Sequence, residues 1–284
     1  MRMDRPVVLI TGCSTGIGRA TAIYCAARDW RVVATARRIE TIRDLPSDHV
    51  EILELDAAEE ASRVRAVEET VKRAGRIDAL VNNAAYSQAG PLAEVTLKEM
   101  RAQFETNIFG AFHLAQLVIP QMRKQNAGRI VNIGSVVGRF AFPFGGLYCG
   151  TKYALEGMSD ALRMELKPWG IRVIVIEPGG VWTKFGDTVG KYLARFRADP
   201  QSAYRAYLKT GGGVRAAAGL EGFGSPPETV ARVIYRAISA RQPRTRYQAT
   251  WDASLAWPLL PFIPDIAKDL IITRLFGLHR RAKM

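Results

Sequence analysis

Short apolar runs alternate along this chain with longer stretches whose apolar residues recur every three or four positions. Val7–Thr11, Arg31–Ala36, Val50–Leu55, Ile77–Asn82, Arg129–Ser135 and Ile171–Glu177 are short and rich in Val and Ile. That pattern predicts strands covered on both faces, as in a parallel sheet. The segments between them, about 17–29, 59–74, 97–125 and 148–168, carry the helical period. Repeated strand–helix units close through right-handed crossovers into a doubly wound parallel sheet of the α/β class. No internal repeat, low-complexity tract or linker divides the chain, so residues 1–250 are expected to form one domain.

The rhythm breaks after Pro178. Residues 179–225 are glycine-rich and polar, with a predicted helix near 186–209 and a flexible run Gly211–Gly213. So long an insertion after a sheet strand is usually functional, often a lid. A helix near 227–240 follows Pro226-Pro227. The end of the chain, 251–284, holds Trp251, Trp257, three prolines, an apolar helix-like stretch Ile266–Phe276 and a basic terminus. It is expected to pack on the same domain as a C-terminal helical extension.

Composition narrows the function classes. The 284 residues are 48% hydrophobic and 24% charged, which excludes a disordered, collagen-like or coiled-coil chain. The net charge of +13 is uneven: residues 184–284 hold 17 basic and 7 acidic side chains. A basic last third suits an anionic partner or membrane surface, and no recognised motif accompanies it to argue for nucleic acid. Cys13, Cys25 and Cys149 form no C-x-x-C pair and no even set, and His49, His113 and His279 are scattered. Neither a disulfide framework nor a metal site is expected. With an apolar strand opening at Val7 and no run of 18 apolar residues, the expected location is cytoplasmic.

Candidate chemistry begins at Thr11-Gly12-Cys13-Ser14-Thr15-Gly16-Ile17-Gly18, which joins the first strand to the first helix. Glycines there permit a tight turn and let backbone approach a pyrophosphate at a helix N-terminus. No Lys-Ser/Thr follows the last glycine, which excludes a P-loop. The position after an opening strand favours a Rossmann-type nucleotide fold over a plain turn. The second strand ends at Ala36-Arg37-Arg38. It offers guanidinium groups for a 2′-phosphate and no carboxylate for a ribose 2′-hydroxyl, so NADP(H) is preferred and NAD(H) is possible. Asp56, ending the third strand, is placed to accept from an adenine amino group.

Tyr148 and Lys152 stand four apart at the start of a helical segment and project from one face. A phenol titrating near 10 is a poor base at neutral pH, and a neighbouring ammonium stabilises its phenolate. Ser135 ends the fifth strand, on the carboxyl rim where open α/β sheets bind ligands, and can converge with Tyr148 on one oxygen.

These motifs together resemble the short-chain dehydrogenase/reductase family over approximately residues 6–250. The nucleotide loop matches as Thr11–Gly18, the Asn-Asn-Ala-Gly segment as Asn82-Asn83-Ala84-Ala85, the catalytic tetrad as Asn107, Ser135, Tyr148 and Lys152, and the post-strand motif as Pro178-Gly179 with Val181 and Thr183. Ala85 departs from the family's glycine without removing a catalytic group. Cys13, Ala36-Arg37 and Ala154–Gly157 are similar to the hydroxysteroid and retinol dehydrogenase-like branch.

The resemblance implies hydride transfer between a nicotinamide and a carbonyl or alcohol, with Tyr148 as acid or base and Ser135 polarising the oxygen. It implies that Lys152 lowers the phenol pKa and holds the ribose, and that Asn107 fixes a water in a proton relay. Gly12, Ser14, Thr15, Gly16, Ile17, Gly18, Asn83, Pro178, Gly179, Val181 and Thr183 would bind the cofactor with Arg37, Arg38 and Asp56. A homodimer or homotetramer is implied through the helices near 97–125 and 148–168.

Aromatic residues Phe140, Phe142, Phe144, Phe185, Tyr192 and Phe196 flank the site in sequence and suggest a large apolar substrate such as a steroid, retinoid or long-chain ketone. Two other readings are open: a β-ketoacyl thioester reductase, and a non-catalytic NADP-sensing regulator. The apolar and basic stretch 251–284 is read as a helix docked on the core, with peripheral membrane contact as the sharper alternative.

Overall fold

The structure is a computed structural model that describes residues 5–46, 48–209, 224–256 and 262–279. Its centre is a seven-stranded, all-parallel sheet of β1 (Val7–Ile10), β2 (Arg31–Ala36), β3 (Val50–Glu54), β4 (Ala79–Asn82), β5 (Gly128–Ile133), β6 (Ile171–Glu177) and β7 (Arg246–Gln248), in the order β3-β2-β1-β4-β5-β6-β7. Strand order reverses between β1 and β4, which opens a crevice beyond their carboxyl ends.

The two-residue period of the strands divides their side chains between two cores. Val8, Ile10, Val32, Ala34, Val81 and Ile174 fill one face, and Val7, Leu9, Val33, Leu80, Ile130 and Val173 the other. Each fully buried Val, Leu or Ile contributes about 1.5–3 kcal/mol. The first face is covered by α1 (Gly16–Ala26) and α8 (Pro227–Ser239), the second by α2 (Glu60–Ala74) and α4 (Gly110–Gln125). Helix α5 (Gly146–Glu165) packs beside β6.

Four differences from the sequence expectation have local causes. The predicted helix 97–125 is α3 (Leu97–Phe104), a π turn over Glu105–Phe109, and α4. Just past that turn Gly110 lies so close to Ala57 that a Cβ would collide with its carbonyl oxygen. Arg63 ties the turn down from α2 by bonding both Glu105 Oε1 (2.9 Å) and the Ala57 carbonyl (2.6 Å). The helix expected at 186–209 is two pieces, α6 (Phe185–Ala198) and α7 (Arg205–Lys209), separated at Asp199-Pro200 because proline cannot continue a helix. β5 stops at Ile133, so Ser135 lies beyond the strand rather than in it. The seventh strand, β7, was not foreseen: three residues with a polar majority carry no usable period. The run Gly211–Gly213 lies outside the described residues.

The last elements are α9 (Trp251–Ala256) and α10 (Asp265–Leu275). Phe276 and Ile272 at the end of α10 join an aromatic cluster with Phe142, Phe144, Leu193, Phe196 and Leu208, so the extension, α6 (Phe185–Ala198) and α7 (Arg205–Lys209) share one small core. The opposite side of α10 exposes Ile266, Leu270, Ile271 and Leu275. No helix among the described residues is long and apolar enough to cross a membrane.

Candidate active site

The carboxyl rim gathers most of the residues singled out in the sequence. The glycine loop leaves β1 through Gly12 (φ 73°) and enters α1 through Gly16 (φ 59°), both in the left-handed region that glycine tolerates. Gly18 has no room for a side chain: a Cβ would strike the Gly12 carbonyl oxygen and the Asn83 amide. Asn83 donates from Nδ2 to the Thr11 and Gly12 carbonyls at 2.8 and 3.1 Å, and its own N–H reaches Thr11 Oγ1 at 2.9 Å. Its side-chain donor therefore shapes the loop. Thr15 opens α1 without a side-chain cap, and no acidic residue sits in the first turn, which leaves N–H donors and the positive end of the helix dipole for an anion.

Beside the loop, Arg37 and Arg38 are exposed just past β2. Asp56 is partly buried and accepts the Ala58 N–H at 2.9 Å through Oδ1, which closes the turn after β3. Across the crevice, Thr183 lies against Gly16, where a Cβ would sit 2.8 Å from Thr183 Cγ2. The Pro178–Thr183 segment is fastened from far along the chain. Gly179 N–H donates to Thr250 Oγ1 (2.9 Å), Gly180 N–H to Asp252 Oδ2 (2.8 Å), and Val181 bridges to Ser225. Thr250 and Asp252 were not picked out in the sequence, since their partners lie about 70 positions away and nothing local marks the contact.

Ser135, Tyr148 and Lys152 come together as their positions predicted. Ser135 Oγ donates to the Pro178 carbonyl at 3.4 Å and reaches the Tyr148 phenol. Burial raises the Tyr148 pKa above its ordinary value, with the Ser135 hydrogen bond pulling the other way. Burial thus favours the protonated phenol. Lys152 is 3% exposed and donates from Nζ to the Ile133 carbonyl at 2.7 Å, 5.4 Å from the Tyr148 ring centre. Burial pushes its pKa down to about 8, against an upward push from Glu156.

Asn107 sits in the π turn and is clamped rather than free. Its Oδ1 accepts the Tyr86 N–H (3.1 Å), and its Nδ2 donates to the Tyr86 carbonyl (2.9 Å) and to Thr151 Oγ1 (3.2 Å). Thr151 in turn donates to the Tyr148 carbonyl at 2.8 Å, so Asn107 ties the turn to α5. Such π turns are frequent at functional sites because they re-aim one side chain within a helix.

Aromatic side chains close the other side. The Phe185 ring stands 5.3 Å from that of Tyr148, Tyr192 stands 6.2 Å from Tyr86, and Phe276 packs on Phe142 and Phe144. Phe144 and Phe196 are buried in the cluster, whereas Phe142, Phe185 and Tyr192 are partly open.

A family model for short chain dehydrogenase matches residues 6–192. The chain belongs to that family. Among curated short-chain dehydrogenase relatives, 17-beta-hydroxysteroid dehydrogenase type 1 of Mus musculus is 34% identical over 264 residues, 87% of this chain and 74% of that protein. A 3-ketodihydrosphingosine reductase of Bacteroides thetaiotaomicron is 36% identical over 188 residues, 65% of this chain and 67% of its own length. Among solved structures, a short-chain dehydrogenase from Streptomyces avermitilis superposes with a TM-score of 0.77 at 29% identity, covering 96% of this chain and 99% of that one. ElxO, solved with NADP bound, has a TM-score of 0.69 at 26% identity and covers 86% and 96%. The chain is thus an oxidoreductase of the short-chain dehydrogenase type, with that family's seven-stranded parallel-sheet fold.

Proposed function

We propose that this short-chain dehydrogenase uses NADP(H) to interconvert a carbonyl and an alcohol on an apolar substrate of steroid, retinoid or long-chain ketone type. The observation that carries the reading is the convergence of Ser135, the buried Tyr148 and Lys152 beside the Phe185 ring. The cofactor fits the residues present. A cradle that side chains at Gly12, Gly16 and Gly18 would fill lies before an uncapped helix N-terminus, with two exposed guanidinium groups at the adenosine end. Arg37 and Arg38 would hold a 2′-phosphate, the Ser14–Gly18 backbone the pyrophosphate, Asp56 the adenine, and Pro178–Thr183 the carboxamide. When bound, the nicotinamide supplies or accepts a hydride.

The remaining chemistry belongs to the side chains. Tyr148 gives its phenolic proton to the substrate oxygen in reduction and takes it back in oxidation. Ser135 donates to the same oxygen and stabilises charge developing there. The Lys152 ammonium favours the phenolate left behind and would hold the ribose hydroxyls of a bound cofactor, and Asn107 fixes the helix that carries both. Phe185, Phe142 and Tyr192 exclude water and favour an apolar substrate body.

Relatives whose names specify a hydroxysteroid and a ketosphingoid base support that substrate class. A carrier-bound β-ketoacyl thioester is the alternative ketone, and a non-catalytic NADP-sensing role is the alternative without turnover. Exposed Phe109, Tyr153, Met158 and Met164 on the π turn and α5 support a homodimer or homotetramer formed through these helices. The test is Tyr148→Phe assayed for NADPH oxidation with apolar ketones. Turnover is expected to fall about 10²–10⁴-fold with NADPH affinity nearly unchanged; near-normal turnover overturns the assignment.

A further inference from the structure

Two glutamates that the catalytic roles leave unused are buried beneath the site. Glu156 is one helical turn beyond Lys152 on α5, and Glu177 is the last residue of β6, immediately before Pro178. Glu156 is 5% exposed and Glu177 is fully buried. Both face the same two guanidinium groups. Arg139 Nη2 is 3.4 Å from Glu156 Oε2, and Arg139 Nε is 3.6 Å from Glu177 Oε1. Arg246 Nε lies 3.0 Å from Glu156 Oε2 and 3.9 Å from Glu177 Oε1.

The other groups facing the pair are few. Arg246 gives its second arm to Asp160 Oδ2 at 2.7 Å, Arg163 takes Asp160 Oδ1 at 2.8 Å, and Gln248 donates to Glu177 Oε2 at 2.8 Å. Lys152 adds its charge from the preceding turn. That leaves Glu156 Oε1 and Glu177 Oε1 without a hydrogen-bond donor among the described residues. A buried carboxylate oxygen without a donor is unfavourable. One proton placed between them satisfies both and removes the like-charge repulsion.

Their location joins them to the catalytic groups. A Cβ on Gly134 would sit 3.1 Å from Glu156 Oε1. Gly134 is flanked by Ile133, whose carbonyl takes the Lys152 ammonium, and by Ser135. The residue after Glu177, Pro178, accepts from Ser135 Oγ and from the Val136 N–H.

We propose that Glu156 and Glu177 share one proton and act as positioning residues that, through Glu156, set how firmly the buried Lys152 keeps its charge. Burial and the neighbouring Glu156 raise Glu177 to about 7, so the shared proton leaves to water in the neutral range. The added negative charge then opposes deprotonation of Lys152 as pH climbs further. The inference rests on the role proposed for Lys152, but the proton itself is observable without turnover.

The test uses the full-length protein and its Glu156→Gln and Glu177→Gln variants. Infrared difference spectra of cofactor-free protein across the neutral range should show one protonated carboxyl disappearing near pH 7 in the wild type and in neither variant. Protein labelled with ¹³C at lysine Cε should show Lys152 releasing its proton with about tenfold weaker affinity in Glu156→Gln and a smaller change in Glu177→Gln. The alkaline limb of kcat/KM for NADPH-dependent ketone reduction should move to lower pH with it.

Absence of a carboxyl titrating near neutrality, or a Lys152 titration unmoved by Glu156→Gln, overturns the proposal. A normal carboxyl and lysine titration in a protein that reduces no apolar ketone upholds the pair and overturns the proposed reaction on such ketones instead.

Discussion

Replacing Lys152 by methionine should stabilise the cofactor-free protein while removing its activity. A lysine ordinarily titrates at 10.5, and burial brings Lys152 down to about 8. At 1.36 kcal/mol per pH unit, keeping this ammonium in the fold at neutral pH costs about 3 kcal/mol. Methionine has a similar length and no charge, but it orphans the Ile133 carbonyl that Lys152 meets at 2.7 Å, a loss of about 1–2 kcal/mol. The net gain at pH 7 is therefore about 1–2 kcal/mol.

The pH dependence is the sharper signature. Between about 8 and 10.5 the unfolded chain holds a proton on this lysine that the folded chain lacks, so wild-type stability rises with pH across that window by about 3 kcal/mol from this group. Below 8 both states are protonated and the contribution is flat. Titrating groups that do not interact with Lys152 contribute equally to both proteins and cancel in the difference, and Glu177 at about 7 titrates below this window. Urea unfolding of wild type and Lys152→Met from neutral pH to above 10.5 would measure it. The variant's advantage should shrink steadily through the window and reverse at its top. An advantage independent of pH would show that the lysine is not buried as a cation and refute the argument.

Three further outcomes are expected. Gly18→Ala should abolish nucleotide binding in a fluorescence titration, because its methyl group has to displace the Gly12 carbonyl and the Asn83 amide; unchanged affinity would mean the loop adjusts freely. Arg37→Asp should lower the NADPH/NADH preference in kcat/KM by tenfold or more, each charge-assisted phosphate contact being worth about 1.5–3 kcal/mol; an unchanged ratio would remove Arg37 as the selector. Phe262→Glu with Ile266→Glu, at positions 83% and 84% exposed, should release the protein from anionic liposomes in co-sedimentation if α10 contacts membranes, and equal sedimentation of both proteins would reject that contact.

The lysine prediction and the glutamate pair describe one region from two sides. Charge is concentrated where α5, β6 and β7 meet, and a network that keeps an ammonium and two carboxyls out of water is costly unless every member has a partner. Natural sequences retain such costs where activity needs them. Here the retained feature is a cation beside the phenol.

Much of the site was legible because its determinants are local. Tyr148 and Lys152 share a helix face through their spacing alone. Val7–Ile10 reads as a buried strand from composition, and Gly12, Gly16 and Gly18 mark a turn that only glycine can make. Each needs only the chain's own periodicity and the sterics of one residue. The strand-to-helix alternation likewise determined the fold class, since parallel strands require crossovers and right-handed crossovers leave few arrangements.

The tertiary structure decided what depends on surfaces meeting across the chain. Glu156 finds Arg246 from 90 positions away and Gly180 finds Asp252 from 72. The π turn that seats Asn107 arises where Gly110 presses on Ala57, and no residue in 105–109 announces it. β7 exists because β6 offers it an edge. The seating of α10 on the aromatic cluster of α6 and α7 through Phe276 is equally non-local. Periodicity records which face of an element is apolar; which partner covers that face, and which buried charges are thereby brought together, is settled only when the whole core closes.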